Sequence, residues 1–212
     1  MNSFFDEYNR IKGKIEERLK EFKRIWERKN CEEIFKEFIF CLLTPQSKAK
    51  VCFEAVLNLE KKGILYKESD YLSISKELKG VRFKNIKAKY IIENREKFLE
   101  GENFLIIDKL LEFDSPFTAR DYLVKNVKGY GLKESSHFLR NIGYSFELSI
   151  LDRHILKNLF KEGIIEEIPK SLNRTKYLEI EKKFRDFSKK VNIPMQNLDL
   201  FFWFRETGEV FK

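Results

Sequence analysis

A chain of 212 residues with 42% hydrophobic content and 21 phenylalanines has ample material for one compact unit or two small lobes, which excludes a disordered tail. Lys and Arg outnumber Asp and Glu by 42 to 34, and the net charge of +8 favours a polyanionic partner met by a basic patch, short of the uniform coat of a histone-like protein. The longest apolar run, residues 38–43, is far too short to span a bilayer and the charged start has no signal-peptide core, so a cytoplasmic location without membrane contact is expected.

Spacings of three and four dominate and no alternating pattern lasts six residues, so the expected fold is all-α. Residues 4–28 read as a charged amphipathic helix with Phe5, Ile11, Ile15, Leu19, Phe22 and Trp26 near one face. Helices over 31–43 and 47–61 follow, divided by Thr44-Pro45-Gln46-Ser47, where Pro45 suits the first turn of the second. Gly63, Gly80 and Gly101 separate shorter helices at 70–78, 84–99 and 103–112. Cys31, Cys41 and Cys52 are odd in number and set among apolar residues, which makes them reduced core residues rather than disulfides or a zinc site.

Ser115 is an N-cap with Pro116 at the first helical position, and the helix they open runs to about Asn126. The turn Gly129-Tyr130-Gly131 leads into a helix over 132–142 that Gly143 ends, a helix-hairpin-helix of residues 115–142. Helices over 153–162, 174–190 and 195–207 complete the chain, the last stopped by Gly208. A Gly-x-Gly turn lets backbone N–H groups approach a phosphate, and the following helix adds the positive end of its dipole, so Gly129, Tyr130 and Gly131 are candidate DNA contacts.

Binding is not chemistry, and the chemistry is expected from Lys133 and Asp152. Ser135, Phe138, Leu139 and Ile142 share a face of the helix after the hairpin and are expected to be buried. Lys133, His137 and Arg140 share another, the side expected to touch DNA. An amine there can attack a sugar C1′ and form a Schiff base. Asp152, nineteen residues beyond Lys133 in Leu151-Asp152-Arg153-His154, reads by itself as a helix N-cap; a carboxylate there can also stabilise positive charge on a deoxyribose as its glycosidic bond breaks.

The Gly-x-Gly hairpin, the lysine two residues past it and the later aspartate resemble the helix-hairpin-helix DNA glycosylase superfamily with its Gly/Pro-Asp loop. Within it, Leu43-Thr44-Pro45-Gln46-Ser47-Lys48-Ala49, the segment Lys133 to Asn141, Asp152-Arg153-His154 and Lys212 look like the archaeal-type 8-oxoguanine DNA glycosylase/AP lyases, over nearly the whole chain. The resemblance implies base-excision repair: removal of 8-oxoguanine with Lys133 as Schiff-base nucleophile and Asp152 as essential carboxylate, then strand nicking by β-elimination. No cysteine follows Cys52, so the iron–sulfur cluster of the endonuclease III-like branch is not expected; a structural monovalent cation on hairpin carbonyls is implied by the family alone.

8-Oxoguanine differs from guanine by the C8 oxygen and a proton on N7, so discrimination needs an acceptor aimed at N7–H and a surface for the flipped base. Leu198, Phe201 and Arg205 lie toward one side of the last helix, with Phe201 and Phe202 as core. Asp199, Trp203 and Glu206 form another side, where Trp203 suits stacking and Asp199 substrate contact. The sequence stops at Val210-Phe211-Lys212; by resemblance Lys212 helps tell the lesion from guanine. Gln46 reads either as a base-edge contact or as an exposed loop residue. Arg82-Phe83-Lys84 pairs an aromatic wedge with basic neighbours, or places Phe83 in the core. His137 and His154 either contact phosphate or cap local structure; no metal-ligand set is seen. The expected architecture is two helical lobes flanking a DNA-binding cleft, one of residues 1–44 with 141–212 and one of 45–140, acting as a monomer on double-stranded DNA containing 8-oxoguanine. A lyase for another damaged base and a non-catalytic hairpin module that binds DNA are the alternative readings.

Overall fold

In a computed structural model, which describes residues 2–67 and 69–212, eleven helices and one short ribbon make up the described secondary structure. The chain divides into two compact units, a terminal one of Met1–Arg24 with Leu139–Lys212 and a middle one of Ile25–Phe138. The sequence placed the first division twenty residues later. The segment from 25 to 44 goes with the middle unit because α2 (Cys31–Leu43) supplies that unit's centre. Its Phe38 ring meets Phe98, Phe104, Tyr130 and Phe138 with centroids 5.1 to 6.4 Å away. Rings at these spacings and mostly edge-to-face angles add to the burial of their large apolar areas. Asn30 starts α2 by accepting from Glu33 N at 2.8 Å.

Against α2 pack α3 (Ala49–Lys61) and α5 (Lys84–Phe98), with α4 (Tyr71–Glu77) against both of these, and α6 (Leu105–Leu111) and α7 (Pro116–Asn126) follow in the chain. A two-residue antiparallel ribbon, β1 (Leu99–Glu100) and β2 (Asn103–Phe104), joins α5 to α6 with Leu99 opposite Phe104. Two-residue strands are too short for a period-two pattern, so the sequence showed only a break at Gly101. Pro45 is not in the first turn of α3, which begins at Ala49; it lies in a turn, followed by Gln46 in the left-handed region at φ 55°.

The terminal unit holds α9 (Arg153–Lys161), α10 (Arg174–Val191) and α11 (Met195–Thr207). Helix α1 (Asn2–Arg28) buries Phe4, Tyr8, Ile11, Ile15, Leu19, Phe22 and Ile25, a row spaced by threes and fours. The ends of that row are Phe4 and Ile25 rather than Phe5 and Trp26. Phe4 meets Phe201 at 5.3 Å, and Phe201 and Phe202 are fully buried as expected. The hairpin and its helix α8 (Leu132–Asn141) fall where the sequence placed them, with Ser135, Phe138, Leu139 and Ile142 all buried. No helix among the described residues is long and apolar enough to cross a membrane.

Candidate active site

The hairpin is built by constraints that leave few choices of residue. Ser115 Oγ accepts from Phe117 N at 3.2 Å and Pro116 occupies the first turn of α7. The chain turns through Gly129 at φ 88°, where a Cβ would lie 2.6 Å from the Tyr90 ring, so only glycine fits. Asn94 on α5 clamps the turn: its Nδ2 donates to Lys128 O at 2.9 Å and its Oδ1 accepts from Lys128 N at 3.0 Å. Tyr130, expected at the DNA contact, turns its side chain inward. The hydroxyl donates to Phe38 O at 2.7 Å, and full burial holds the phenol far above its usual pKa. Only the backbone of Tyr130 belongs to the turn's surface, and its N–H is already given to Val127 O.

Helix α8 starts with a one-sided side-chain cap. Glu134, at the third helical position, reaches back so that its Oε2 accepts from Gly131 N at 3.1 Å. Its Oε1 stands 3.0 Å from Lys133 Nζ, which fixes a lysine side chain that is 23% exposed in the first turn of the helix. The N–H groups of Lys128, Tyr130 and Gly131 are thus committed inside the protein, and those of Leu132, Lys133 and Glu134 open the helix without intrahelical acceptors. Glu134 escaped notice in the sequence although its place three residues past the glycine is a capping-box signal.

His137 and Arg140 do not lie on an exposed face. His137 is buried edge-to-face against Phe40 at 5.6 Å, which replaces a phosphate contact with a packing role. Elsewhere in the middle unit, Gln46 and Arg82 are exposed, and Phe83 is 49% exposed with the Arg82 guanidinium 5.1 Å from its ring. Phe83 therefore belongs to the surface rather than the core. Lys87, which the sequence reading passed over, is buried on α5. Burial first, and then the Lys133 charge, lower its pKa to about 8 against the opposing influence of Cys52 and Glu134. Cys41 and Cys52 are buried and Cys31 is half-buried at the start of α2; burial pushes the Cys52 thiol up to about 11, which makes it inert near neutral pH.

In the terminal unit, Asp152 caps α9, with Oδ1 accepting from His154 N and Ile155 N at 2.8 Å each. The carboxylate is half-buried and exactly oriented by these two bonds, so the cap reading and a chemical role are compatible. The His154 ring meets Trp203 edge-to-face at 4.9 Å, and Trp203 is half-buried on α11. Asp199 is buried rather than lining an open surface. Its Oδ1 is 3.6 Å from Arg140, its Oδ2 accepts no hydrogen bond, and burial raises its pKa to about 7 with Asp152 adding to the rise and Arg140 opposing it. A long ion pair does not offset that desolvation, and Asp199 acts as a structural partner of Arg140. Glu206 pairs with Lys157 and Lys161, at 2.5 and 2.8 Å, and Lys212 is half-buried beyond the stop at Gly208.

Among the described residues no group of three or more His, Cys, Asp and Glu is placed to hold a metal ion. At the hairpin, Asn126 O accepts from Lys97 Nζ at 2.8 Å, and the carbonyls of Val127 and Lys128 accept from Tyr130 N and Asn94. A side-chain ammonium thus meets the first of these three carbonyls.

A family described as 8-oxoguanine DNA glycosylase matches residues 15–193, a span that contains the hairpin, Lys133 and Asp152. The chain belongs to the 8-oxoguanine DNA glycosylase family. A family member from Fusobacterium nucleatum, named 8-oxoguanine DNA glycosylase/AP lyase, is 43% identical over 215 residues, covering 100% of this chain and 99% of that one. The solved Methanocaldococcus jannaschii 8-oxoguanine glycosylase/lyase, in complex with DNA containing 8-oxoguanine, superposes with a TM-score of 0.85 at 36% identity over 99% of this chain and 100% of its own. The Thermotoga maritima 8-oxoguanine DNA glycosylase gives 0.83 at 33% identity, over the whole of both chains.

Proposed function

We propose that this family member is a base-excision repair enzyme, a bifunctional N-glycosylase/AP lyase that removes 8-oxoguanine from double-stranded DNA and nicks the strand. The observation that carries the reading is Lys133, held in the first turn of α8 by a cap that Glu134 shares between the Gly131 N–H and the lysine ammonium. Its Nζ, once neutral, attacks C1′ of the lesion nucleotide as the bond to N9 breaks, and the base leaves with that electron pair and takes up a proton. Ring opening gives a Schiff base between Nζ and C1′; loss of a C2′ proton then expels the 3′ phosphate by β-elimination, and water releases the lysine. Asp152, oriented by two backbone N–H groups, supplies the carboxylate that stabilises charge on the sugar. The N–H groups opening α8 suit the phosphate. Trp203, half-buried against His154, suits stacking of the extruded base, and Lys212 completes the lesion contacts. Phe83, exposed beside Arg82, suits filling the gap, and Gln46 a base edge. The enzyme acts as a monomer in the cytoplasm.

Borohydride trapping on a duplex with one 8-oxoguanine tests this directly. Wild type gives a covalent adduct, Lys133→Gln gives none, and Asp152→Asn, which preserves the N-cap, slows excision by about 10²- to 10³-fold. Absence of wild-type excision on this duplex, with activity on another damaged base, would overturn the assigned lesion. Binding without chemistry on every lesion would leave a DNA-binding module.

A further inference from the structure

We propose that Lys87 and Ser47 form a positioning hub that locks two turns of the middle unit together, residues 43–47 and 81–83, so that Gln46 and Phe83 meet the lesion strand as one preset pair. Both of these residues sit in the left-handed region, at φ 55° and 57°, which side chains other than glycine rarely adopt, so something outside each turn must hold it. Lys87 is 5% exposed, and its ammonium spends its three N–H donors on Leu43 O at 2.7 Å, Pro45 O at 2.8 Å and Ser47 Oγ at 3.2 Å.

Ser47 Oγ in turn accepts from Arg82 N at 3.0 Å and donates to Pro45 O at 3.4 Å, so one hydroxyl joins the first turn to the residue beside Phe83. Cys52 Sγ donates to Leu43 O at 3.1 Å and completes the cluster. A buried ammonium held by carbonyls and a hydroxyl is a costly way to pack a helix, where an apolar side chain would serve. Each acceptor keeps a second donor when Lys87 is removed, which makes the hub worth more to geometry than to folding. Lys87 and Ser47 act through Gln46 and Phe83 and touch no substrate. The inference rests on the excision activity proposed above.

Ser47→Ala, with Ser47→Thr as the variant that keeps the hydroxyl, tests the hub. The expected result is a fall of about tenfold or more in single-turnover excision of 8-oxoguanine, with nicking of a preformed abasic site, which needs no base extruded, reduced less than about threefold. Ser47→Thr restores excision, Ser47→Ala raises solvent exchange of the Arg82 amide, and Ser47→Ala adds little in a Phe83→Ala background because both act at one step. Equal loss of both activities, multiplicative effects of Ser47→Ala and Phe83→Ala, or excision by Ser47→Ala within about twofold of wild type would overturn the hub. Wild type that neither excises nor nicks would overturn the activity itself and the positioning role with it, and that outcome is visible before any variant is compared.

Discussion

Two turns of the middle unit solve the same backbone problem in opposite ways. The hairpin turn takes its positive φ at Gly129, and Asn94 fixes it with two hydrogen bonds to Lys128. The turn of residues 43–47 takes its positive φ at Gln46, a residue with a Cβ, and is held by an ammonium on another helix. The first turn carries its own solution in its sequence. The second borrows it from Lys87, so its shape depends on a group whose charge, reach and burial are set elsewhere. The borrowed turn keeps a polar side chain at its tip, where the glycine turn has none.

Gly129→Ala is expected to have the largest effect on stability. A left-handed residue with a Cβ costs about 1 to 2 kcal/mol, and crowding against Tyr90 and Leu42 adds roughly as much again, about 3 kcal/mol in all. Urea unfolding should show this, together with a fall in Tm of roughly 6 to 12 °C. Lys87→Met should cost about 1 kcal/mol at neutral pH, since Leu43 O keeps Cys52, Pro45 O keeps Ser47 and Ser47 Oγ keeps Arg82 N. Equal losses for the two variants would erase the distinction between the turns.

Buried charge separates Lys87 from Asp199 by the sign of its pH response. The Lys87 pKa is about 8 in the folded chain against an ordinary 10.5, so between those values the unfolded chain binds the extra proton and stability rises with pH. Asp199 is at about 7 against an ordinary 3.8, so the folded chain binds the extra proton and stability falls as pH rises from about 4 to 7. Unfolding free energies across pH 4 to 7 should therefore decline in wild type and flatten in Asp199→Asn. Lys87→Met should lose the alkaline rise and leave the acid limb unchanged.

Most of the fold was legible because helix boundaries here are written locally. Ser115-Pro116, Gly143 and Gly208 each mark an end within the few residues around them, and the helices fall within two residues of their expected limits. Lys133 and Asp152 were legible as candidates through the hairpin and the cap that carry them. What failed was the assignment of faces. Tyr130, His137 and Asp199 carry polar atoms at helical or turn positions that look accessible, yet each is buried against a partner far along the chain: Phe38, Phe40 and Arg140. Lys87 and Ser47 were missed for the same reason, since their acceptors and donors are separated from them by 35 to 44 residues and no local pattern records it.

The smallest expected effect makes the sharpest comparison. Gln46→Gly places at the second turn the residue that the first turn already uses, removing the left-handed penalty of about 1 kcal/mol while raising the entropy of the unfolded chain by somewhat less. The net change should be a gain of up to about 0.5 kcal/mol, since Lys87 and not the Gln46 side chain fixes the turn. In a Lys87→Met background the same substitution should gain less, because a turn without its clamp can relax Gln46 out of the left-handed region before any glycine relieves it. A double-mutant cycle read by urea unfolding separates these cases. Identical gains in both backgrounds would mean that the turn holds its shape without the ammonium.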